Sequence, residues 1–219
     1  AERVQRVEKA LEELGKLQEQ KEKRKKGSGD DARTSTTDPE ARKMKMGDGG
    51  FRPAYNVQFA TDGETRMIIG VGVTNSGSDR GEMSTMHEKV SQRYKTPDKY
   101  LVDCGFATKE DITAVEQRGS KVLVPVHGED RMREQGNDPY AKKRGDTDEM
   151  AAFRQRMATD EAKAQYKLRP SIAEFPNAEC RNRGLHQFRV RGLEKVKTAS
   201  LWYAITFNFM RMVNLGFVQ

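Results

Sequence analysis

The sequence predicts a mixed α/β fold, and two observations lead to this prediction. Two β-rich runs, Tyr55–Thr61 and Met67–Thr74, lie on either side of an Asp62-Gly63 turn signal, the pattern of two adjacent antiparallel strands. Further along, a helical pattern separates two short apolar runs, Tyr100–Asp103 and Lys121–Val126. Because a strand, helix, strand order with short loops favours a parallel crossover, we expect these two runs to pair in one sheet.

Two further helices are predicted beside these strands. Ser78–Tyr94 has a helical pattern, and Ser78 or Asp79 is the expected N-cap. The segment Leu193–Leu215 is apolar on nearly all of its sides, which predicts a helix buried against the sheet. Trp202 and the aromatic residues around it are therefore expected in the core.

The chain is predicted to fall into three parts. Residues 1–30 form a charged amphipathic helical insertion, residues 31–54 a polar and mobile linker, and residues 55–219 the core, which contains a polar, partly helical insertion at 128–165. The first part carries an apolar stripe at helical spacing, formed by Val4, Val7, Leu11, Leu14 and Leu17.

The composition narrows the functional classes. The 219 residues include 40 Lys and Arg against 33 Asp and Glu, a net charge of +7, and this basic balance favours a polyanion such as nucleic acid as partner. No run of about 18 apolar residues is present, so a transmembrane helix is not expected. Cys104 and Cys180 show no metal-ligand or disulfide spacing, and a reducing, cytoplasmic compartment follows as the expectation.

Asp103 is the first candidate for chemistry. It directly follows Tyr-Leu-Val, at the C-terminal end of a predicted strand, where open α/β sheets place ligands and catalytic groups. The alternative is that Asp103 only caps the helix that begins near Thr108. The residues alone leave both interpretations open.

Glu174 is the second candidate. With Tyr166, Arg169 and Arg181 it forms the frame Y-x2-R-x4-E-x6-R, which places a carboxylate beside cations that bind phosphate well. Paired with Asp103, it would provide two carboxylates for Mg²⁺, a hard ion that keeps sites for phosphate substrates. The chemistry predicted by this pairing is phosphoryl transfer in DNA strand cleavage and joining.

A dense basic run near the C-terminus predicts a face that contacts phosphates, with a solvated helix surface as the alternative. Its cations are Arg181, Arg183, Arg189, Arg191, Lys195 and Lys197. The three histidines, His87, His127 and His186, share no metal-ligand spacing, so we expect each to be a solvated side chain.

Five runs, in order, resemble the catalytic part of bacterial insertion-sequence transposases with a DDE, RNase H-like core. They are TDPEARKM (37–44), YNVQFATD (55–62), IIGVGVTNSGSD (68–79), YLVDCGFAT (100–108) and RGLEKV (191–196). The resemblance implies an RNase H-like mixed sheet flanked by helices and cut-and-paste DNA transposition with Mg²⁺ or Mn²⁺. It also implies double-stranded DNA as partner (terminal inverted repeats and target), self-association in a synaptic complex, no membrane, and a bacterial cytoplasm with nucleoid association on DNA.

The resemblance assigns roles to individual residues. Asp103 matches the family's second acid and Glu174 the third, so both are expected to be catalytic metal ligands. Tyr166 and Arg169 match the positions before the third acid, and Arg181 stands where the family has Lys. Together with Arg183, Arg191 and Lys195, these three are the expected DNA-binding residues. Glu194 in RGLEKV is a competing third acid, although it would also complement the N-terminal dipole of its helix.

The position of the family's first catalytic acid in this chain is left open. In this family it lies on the first strand of the sheet, and the chain begins within what resembles the following insertion, so the core is expected to lack its first strand. Asp38 is the fallback position, although it lies on no strand pattern. Three functions are therefore weighed: a DNA transposase, a truncated and non-catalytic DNA-binding remnant, and a hydrolase of another phosphoester on the same fold.

Overall fold

A computed structural model describes residues 2–23 and 27–217. The chain divides into two compact units of similar size, which are described separately. The first unit comprises Ala1–Gln58, Val71–Gly77 and Glu179–Gln219, and the second comprises Phe59–Gly70 and Ser78–Ala178. The division of the chain into residues 1–30, 31–54 and 55–219, made from the sequence, stays a prediction.

The first unit begins with helix α1 (Glu2–Glu22) and continues into a hairpin of β1 (Arg42–Lys45) and β2 (Phe51–Ala54). The two strands pair antiparallel. This hairpin lies in the segment that composition predicts as a mobile linker. Its turn is closed by hydrogen bonds between Met46 and Gly50 and between Gly49 and Met46, and the Lys43 ammonium lies 5.0 Å from the centre of the Phe51 ring.

The strands β3 (Asn56–Thr61) and β4 (Ile68–Thr74) pair as a two-stranded sheet. The predicted turn between them is present but longer than two residues. The Asp62 N–H donates to the Met67 carbonyl, and the Asp62 carboxylate accepts from the N–H and hydroxyl of Thr65. Asp62 thus serves as the turn's internal acceptor, a common role for an Asx residue.

The second unit contains the predicted parallel crossover. Strand β5 (Lys99–Leu101) leads into helix α3 (Lys109–Gln117) and then into β6 (Lys121–Leu123). The two strands are parallel, with Tyr100 opposite Val122, which confirms the prediction. Gly119 follows α3 with a left-handed φ of 95°, the conformation that lets the chain turn back from the helix end.

The core of the second unit draws on the segment predicted as a polar insertion. That segment forms α4 (Glu129–Glu134), α5 (Asp148–Ala158) and α6 (Asp160–Tyr166). Four of its residues, Met150, Phe153, Met157 and Ala162, are buried in the same apolar cluster as Val115, Val122, Leu123 and Val124. Its many charged residues obscure this packing in the sequence, and one of them, Arg154, is itself buried on α5.

Helix α2 spans Glu82–Arg93 and begins later than the sequence predicts. The expected N-cap, Ser78 or Asp79, is wrong. The residue before the helix is Gly81, which has a left-handed φ of 86°, and a distant side chain supplies the cap. Asp111 on α3 accepts hydrogen bonds from the N–H groups of Gly81 (3.0 Å) and Ser84 (3.2 Å).

The last helices are α7 (Phe175–Asn182) and α8 (Leu193–Asn214). The prediction that α8 is buried on nearly all sides, with Trp202 in the core, is wrong. Trp202 is 65% exposed. The buried residues of α8 form one stripe at helical spacing, made of Val196, Ser200, Ala204 and Phe207, and an apolar composition on every side does not reveal which stripe is covered.

His87 also differs from its prediction as a solvated side chain. It is fully buried, with its Nε2 atom 2.6 Å from the Ser120 hydroxyl oxygen and its ring 5.3 Å from the Tyr100 ring in an edge-on contact. Burial, followed by the nearby Arg118 charge, lowers the pKa of His87. The neutral ring is the form that this apolar site favours.

The structure as a whole confirms the predicted fold class, because helices and small sheets with both parallel and antiparallel pairing make up the described residues. Among these residues, no helix is both long enough and apolar enough to cross a membrane.

Candidate functional site

Asp103 lies in a tight turn just after β5, at the C-terminal edge of the parallel pair. Its carbonyl accepts from the Phe106 N–H (3.0 Å), and its own carboxylate accepts from the Cys104 N–H (2.8 Å). The side chain is 56% exposed. The alternative role as a cap of α3 is taken by Thr108, whose hydroxyl accepts from the Asp111 N–H.

Glu174 closes a π-helical turn, Pro170–Glu174, that leads directly into α7. Pro170 is the first residue of this turn, a position that proline suits because it lacks the N–H that a helix start leaves unpaired. The Glu174 side chain is 66% exposed. Its carboxylate therefore lies at the surface of the second unit.

Arg169 lies between the two acids. One guanidinium nitrogen is 3.7 Å from an Asp103 oxygen, and the other is 3.6 Å from a Glu174 oxygen. The Arg169 side chain is itself only 19% exposed. Two carboxylates from separate segments of the chain thus face one positive group.

Tyr166 and Cys104 complete the immediate surroundings. Tyr166, the last residue of α6, packs against the apolar core, and its burial raises the pKa of its hydroxyl. Burial, with the Asp103 charge as the next contribution, raises the pKa of the Cys104 thiol. Both groups therefore carry their protons at neutral pH, and the negative charge of the site comes from the two carboxylates.

Asp103 and Glu174 supply carboxylate oxygens, the ligand type that a hard divalent cation prefers. The described part of the chain contains no cluster of three or more His, Cys, Asp or Glu side chains arranged to hold a metal ion. However, the carboxylates of Asp103 and Glu174 already face a cation in common, the Arg169 guanidinium. One or two carboxylates, with water and substrate phosphate, are the ligand set on which Mg²⁺ relies.

Asp38, the fallback for the first acid, has a structural role in the other unit. Its two carboxylate oxygens accept from the Gly192 N–H at 3.2 and 3.3 Å, and one of them also accepts from the Tyr55 hydroxyl at 2.8 Å. Glu40 accepts from the neighbouring Leu193 N–H at 2.6 Å. The two acids therefore cap the start of α8, a role that complements the helix dipole.

Glu194, the competing third acid, lies in the first turn of α8 and is exposed. The carboxylate thus lies where a helix N-terminus favours negative charge. It belongs to the first unit, whereas Asp103 and Glu174 both belong to the second.

The predicted DNA-binding cations of the first unit are all exposed. A guanidinium nitrogen of Arg183 lies 3.6 Å from a carboxylate oxygen of Glu179, which makes a weak ion pair. The other three, Arg181, Arg191 and Lys195, make no ion pair within residues 2–23 and 27–217. From Ser171 onward the chain holds seven Lys and Arg against three acids, so this part retains excess positive charge.

Sequence reasoning missed Glu40 and Asp111, the acids that cap α8 and α2. Asp111 is only 4% exposed and also accepts from the Thr108 hydroxyl at 2.7 Å. One local signal was available, because Thr108 and Asp111 stand three residues apart in a capping-box arrangement at the start of α3. Nothing local indicates the contacts that Glu40 and Asp111 make with distant helices.

A family model described as "Transposase DDE domain" matches residues 24–209. Searches of curated proteins and of solved structures found no match.

Proposed function

Because the chain belongs to the transposase DDE domain family, we propose that it cleaves and joins DNA strands at transposon ends by metal-dependent phosphoryl transfer. DNA transposition is the general activity of this family, and its domains generally depend on divalent metals. We assign Asp103 and Glu174 as ligands of Mg²⁺ or Mn²⁺, within a catalytic core over residues 55–219.

One observation carries this assignment. Asp103 follows a strand and Glu174 ends a helical turn, yet both carboxylates lie within 4 Å of the Arg169 guanidinium, at 3.7 and 3.6 Å. Both are also more than half exposed. Acids that serve only folding are usually surrounded by donors, whereas these two side chains are mostly open to solvent and to a substrate.

The chemistry proposed for this site is in-line displacement at phosphorus. Asp103 and Glu174 would hold a divalent cation, which would supply charge neutralisation and activation of the attacking oxygen. Arg169 offers a planar fork suited to a phosphate, and Tyr166 offers a protonated hydroxyl as a second donor. Asp38 has no part in this proposal, since Gly192 and Tyr55 already occupy its oxygens.

We further propose double-stranded DNA as the partner, in the form of terminal inverted repeats and target DNA. The exposed cations Arg181, Arg183, Arg191 and Lys195 would contact the backbone, because phosphate contacts supply most of the sequence-independent affinity for DNA. A second copy of the chain would join in a synaptic complex. The reaction would take place on the nucleoid of a bacterial cytoplasm.

The test is nicking of supercoiled plasmid DNA that carries the element's ends, with Mg²⁺, with Mn²⁺ and with EDTA. We expect nicking with either metal and none with EDTA. Asp103→Asn and Glu174→Gln should each slow it by at least about 100-fold, because each removes a charged metal ligand.

A matched control is Arg131→Gln, which removes an exposed charge on α4 and should leave nicking unchanged. Unimpaired nicking by Asp103→Asn would refute the assignment of the site. If the chain bound the plasmid with salt-dependent affinity but never nicked it with either metal, the non-catalytic DNA-binding interpretation would replace this one.

A further inference from the structure

We propose that Arg169 is a positioning residue that holds the place of a cation between Asp103 and Glu174, and that a divalent metal ion displaces its guanidinium toward DNA phosphate. This inference rests on the proposed function. It adds that Arg169 regulates how tightly the two carboxylates bind the metal ion. The two carboxylates are then kept beside the same guanidinium before the metal binds.

The geometry indicates an exchangeable contact. At 3.7 and 3.6 Å, both separations between nitrogen and oxygen exceed the distance of a good hydrogen bond, about 2.7 to 3.2 Å. Each acid meets a different nitrogen, so neither forms the two-pronged pair that makes arginine contacts strong. The attraction is therefore mainly electrostatic and is screened at the exposed carboxylates.

Arg156, in the same unit, shows the geometry of a fixed ion pair. Arg156 binds both carboxylate oxygens of Glu116, at 2.6 and 2.7 Å, and also donates to the Val122 carbonyl. Its partner Glu116 has a side chain only 8% exposed. The longer contacts of Arg169 thus indicate an exchangeable ion pair, in contrast to the fixed pair that Arg156 forms with Glu116.

Charge explains why the guanidinium would leave. A divalent cation at the two carboxylates would lie beside a positive group, and like charges at such separations repel each other. A DNA phosphate brought to the site offers that group a bidentate partner. Metal and guanidinium therefore compete for the same carboxylates, and removal of the Arg169 charge should strengthen metal binding.

The experiment is a titration of the whole chain with Mn²⁺ in the absence of DNA, with free Mn²⁺ measured by electron paramagnetic resonance. We expect Arg169→Gln to bind Mn²⁺ about three- to tenfold more tightly than the wild type, the range expected from the loss of two exposed ion pairs. Arg169→Lys keeps the charge and should stay near the wild-type affinity.

Two controls separate this effect from net charge and from folding. Arg131→Gln also removes one positive charge from the second unit, at an exposed position that forms no ion pair among the described residues, and should not change Mn²⁺ affinity. Circular dichroism of each variant checks the fold, and Arg169→Lys carries the test if Arg169→Gln is poorly folded. In that case a more than twofold change in affinity for Arg169→Lys would overturn the inference.

The outcomes are distinguishable. Unchanged or weaker Mn²⁺ binding by Arg169→Gln, or no binding by any variant, would overturn the inference about Arg169. Wild-type Mn²⁺ binding that survives both Asp103→Asn and Glu174→Gln would instead overturn the assignment of the metal ligands, and with it the proposed function.

Discussion

The acid pair Asp38–Glu40 in the first unit and the acid pair Asp103–Glu174 in the second differ in what surrounds their oxygens. Asp38 and Glu40 accept from two consecutive backbone N–H groups at the start of α8, and each accepts from a further side chain, the Tyr55 hydroxyl or the Lys9 ammonium. Asp103 accepts only a local hydrogen bond, from the N–H of its neighbour Cys104, and Asp103 and Glu174 share one guanidinium at a longer distance.

This difference separates two uses of carboxylates. Acceptors that are filled by donors contribute to folding, because loss of the acceptor leaves those donors unsatisfied. Exposed carboxylates with few donors contribute little to folding and keep their charge available for a ligand. The exposure of an acid and the origin of its donors, rather than its place in a motif, thus distinguish Asp38, which is half-buried and bound by distant segments, from the exposed Asp103.

The largest effect on stability is expected from Asp38→Ala. The substitution leaves the Gly192 N–H and the Tyr55 hydroxyl without their acceptor, and loss of such a cap costs about 2 kcal/mol of unfolding free energy. Urea unfolding followed by circular dichroism measures this cost.

The matched variant is Asp103→Ala, whose unfolding free energy should stay within about 0.5 kcal/mol of the wild type. The comparison between the two acid pairs fails if Asp103→Ala destabilises the chain as much as Asp38→Ala does.

A smaller cost, about 1 kcal/mol, is expected for Gly192→Ala. Gly192 has a left-handed φ of 87° directly before α8, and a Cβ atom there would lie 3.5 Å from a Glu40 oxygen. The same urea experiment applies.

Gly15→Ala is the contrasting variant, because Gly15 lies inside α1, has an ordinary backbone conformation, and leaves open space where a Cβ atom would lie, with nothing within 4 Å. It should stabilise the chain by about 0.5 to 1 kcal/mol. Equal destabilisation by both substitutions would show that backbone conformation at Gly192 is not the cause.

DNA binding tests whether the Asp38–Glu40 cap supports the basic residues next to it. Arg191 directly precedes Gly192 and is exposed, so Arg191→Gln should lower the slope of log K against log salt by about one unit. Asp38→Ala should weaken binding without a change in slope, since it removes no cation.

Fluorescence anisotropy of a labelled duplex at several salt concentrations measures both quantities. Arg131→Gln in the second unit serves as the control with an unchanged slope. An Arg191→Gln slope equal to that of the wild type would exclude this residue from the phosphate contacts.

Sequence reasoning succeeded where the determinants are local. Two short apolar runs separated by a helical pattern predicted β5, α3 and β6, because the strand and helix periods lie within a short stretch of the chain. The exposure of Asp103 at a strand end follows from the same local pattern.

Sequence reasoning failed where segments that are distant in the chain meet. Asp38 and Gly192 are 154 positions apart, and no spacing rule links an acid to a helix start at that distance. The same limit explains the cap that Asp111 provides for α2 and the exposed side of α8 around Trp202. Tertiary contacts decide which donors hydrogen-bond to a carboxylate and which face of a helix is buried.

The smallest expected effect concerns the pH dependence of stability. The hydrogen bond from Lys9, followed by that from the Leu193 N–H, lowers the pKa of Glu40. Because the folded state holds this proton less tightly than the unfolded state, Glu40 contributes stability above its ordinary pKa of about 4.3. That contribution is lost as the pH falls through the lowered value.

Glu40→Gln should therefore flatten the fall of the unfolding free energy between about pH 4.3 and lower values. Lys9→Gln should produce a smaller change in the same direction, because the Leu193 N–H still donates to Glu40. Urea unfolding at a series of acidic pH values compares the three chains. An acid limb with the same slope in all of them would mean that Glu40 is not held by these donors, and the contrast with the open pair at Asp103 and Glu174 would then depend on Asp38 alone.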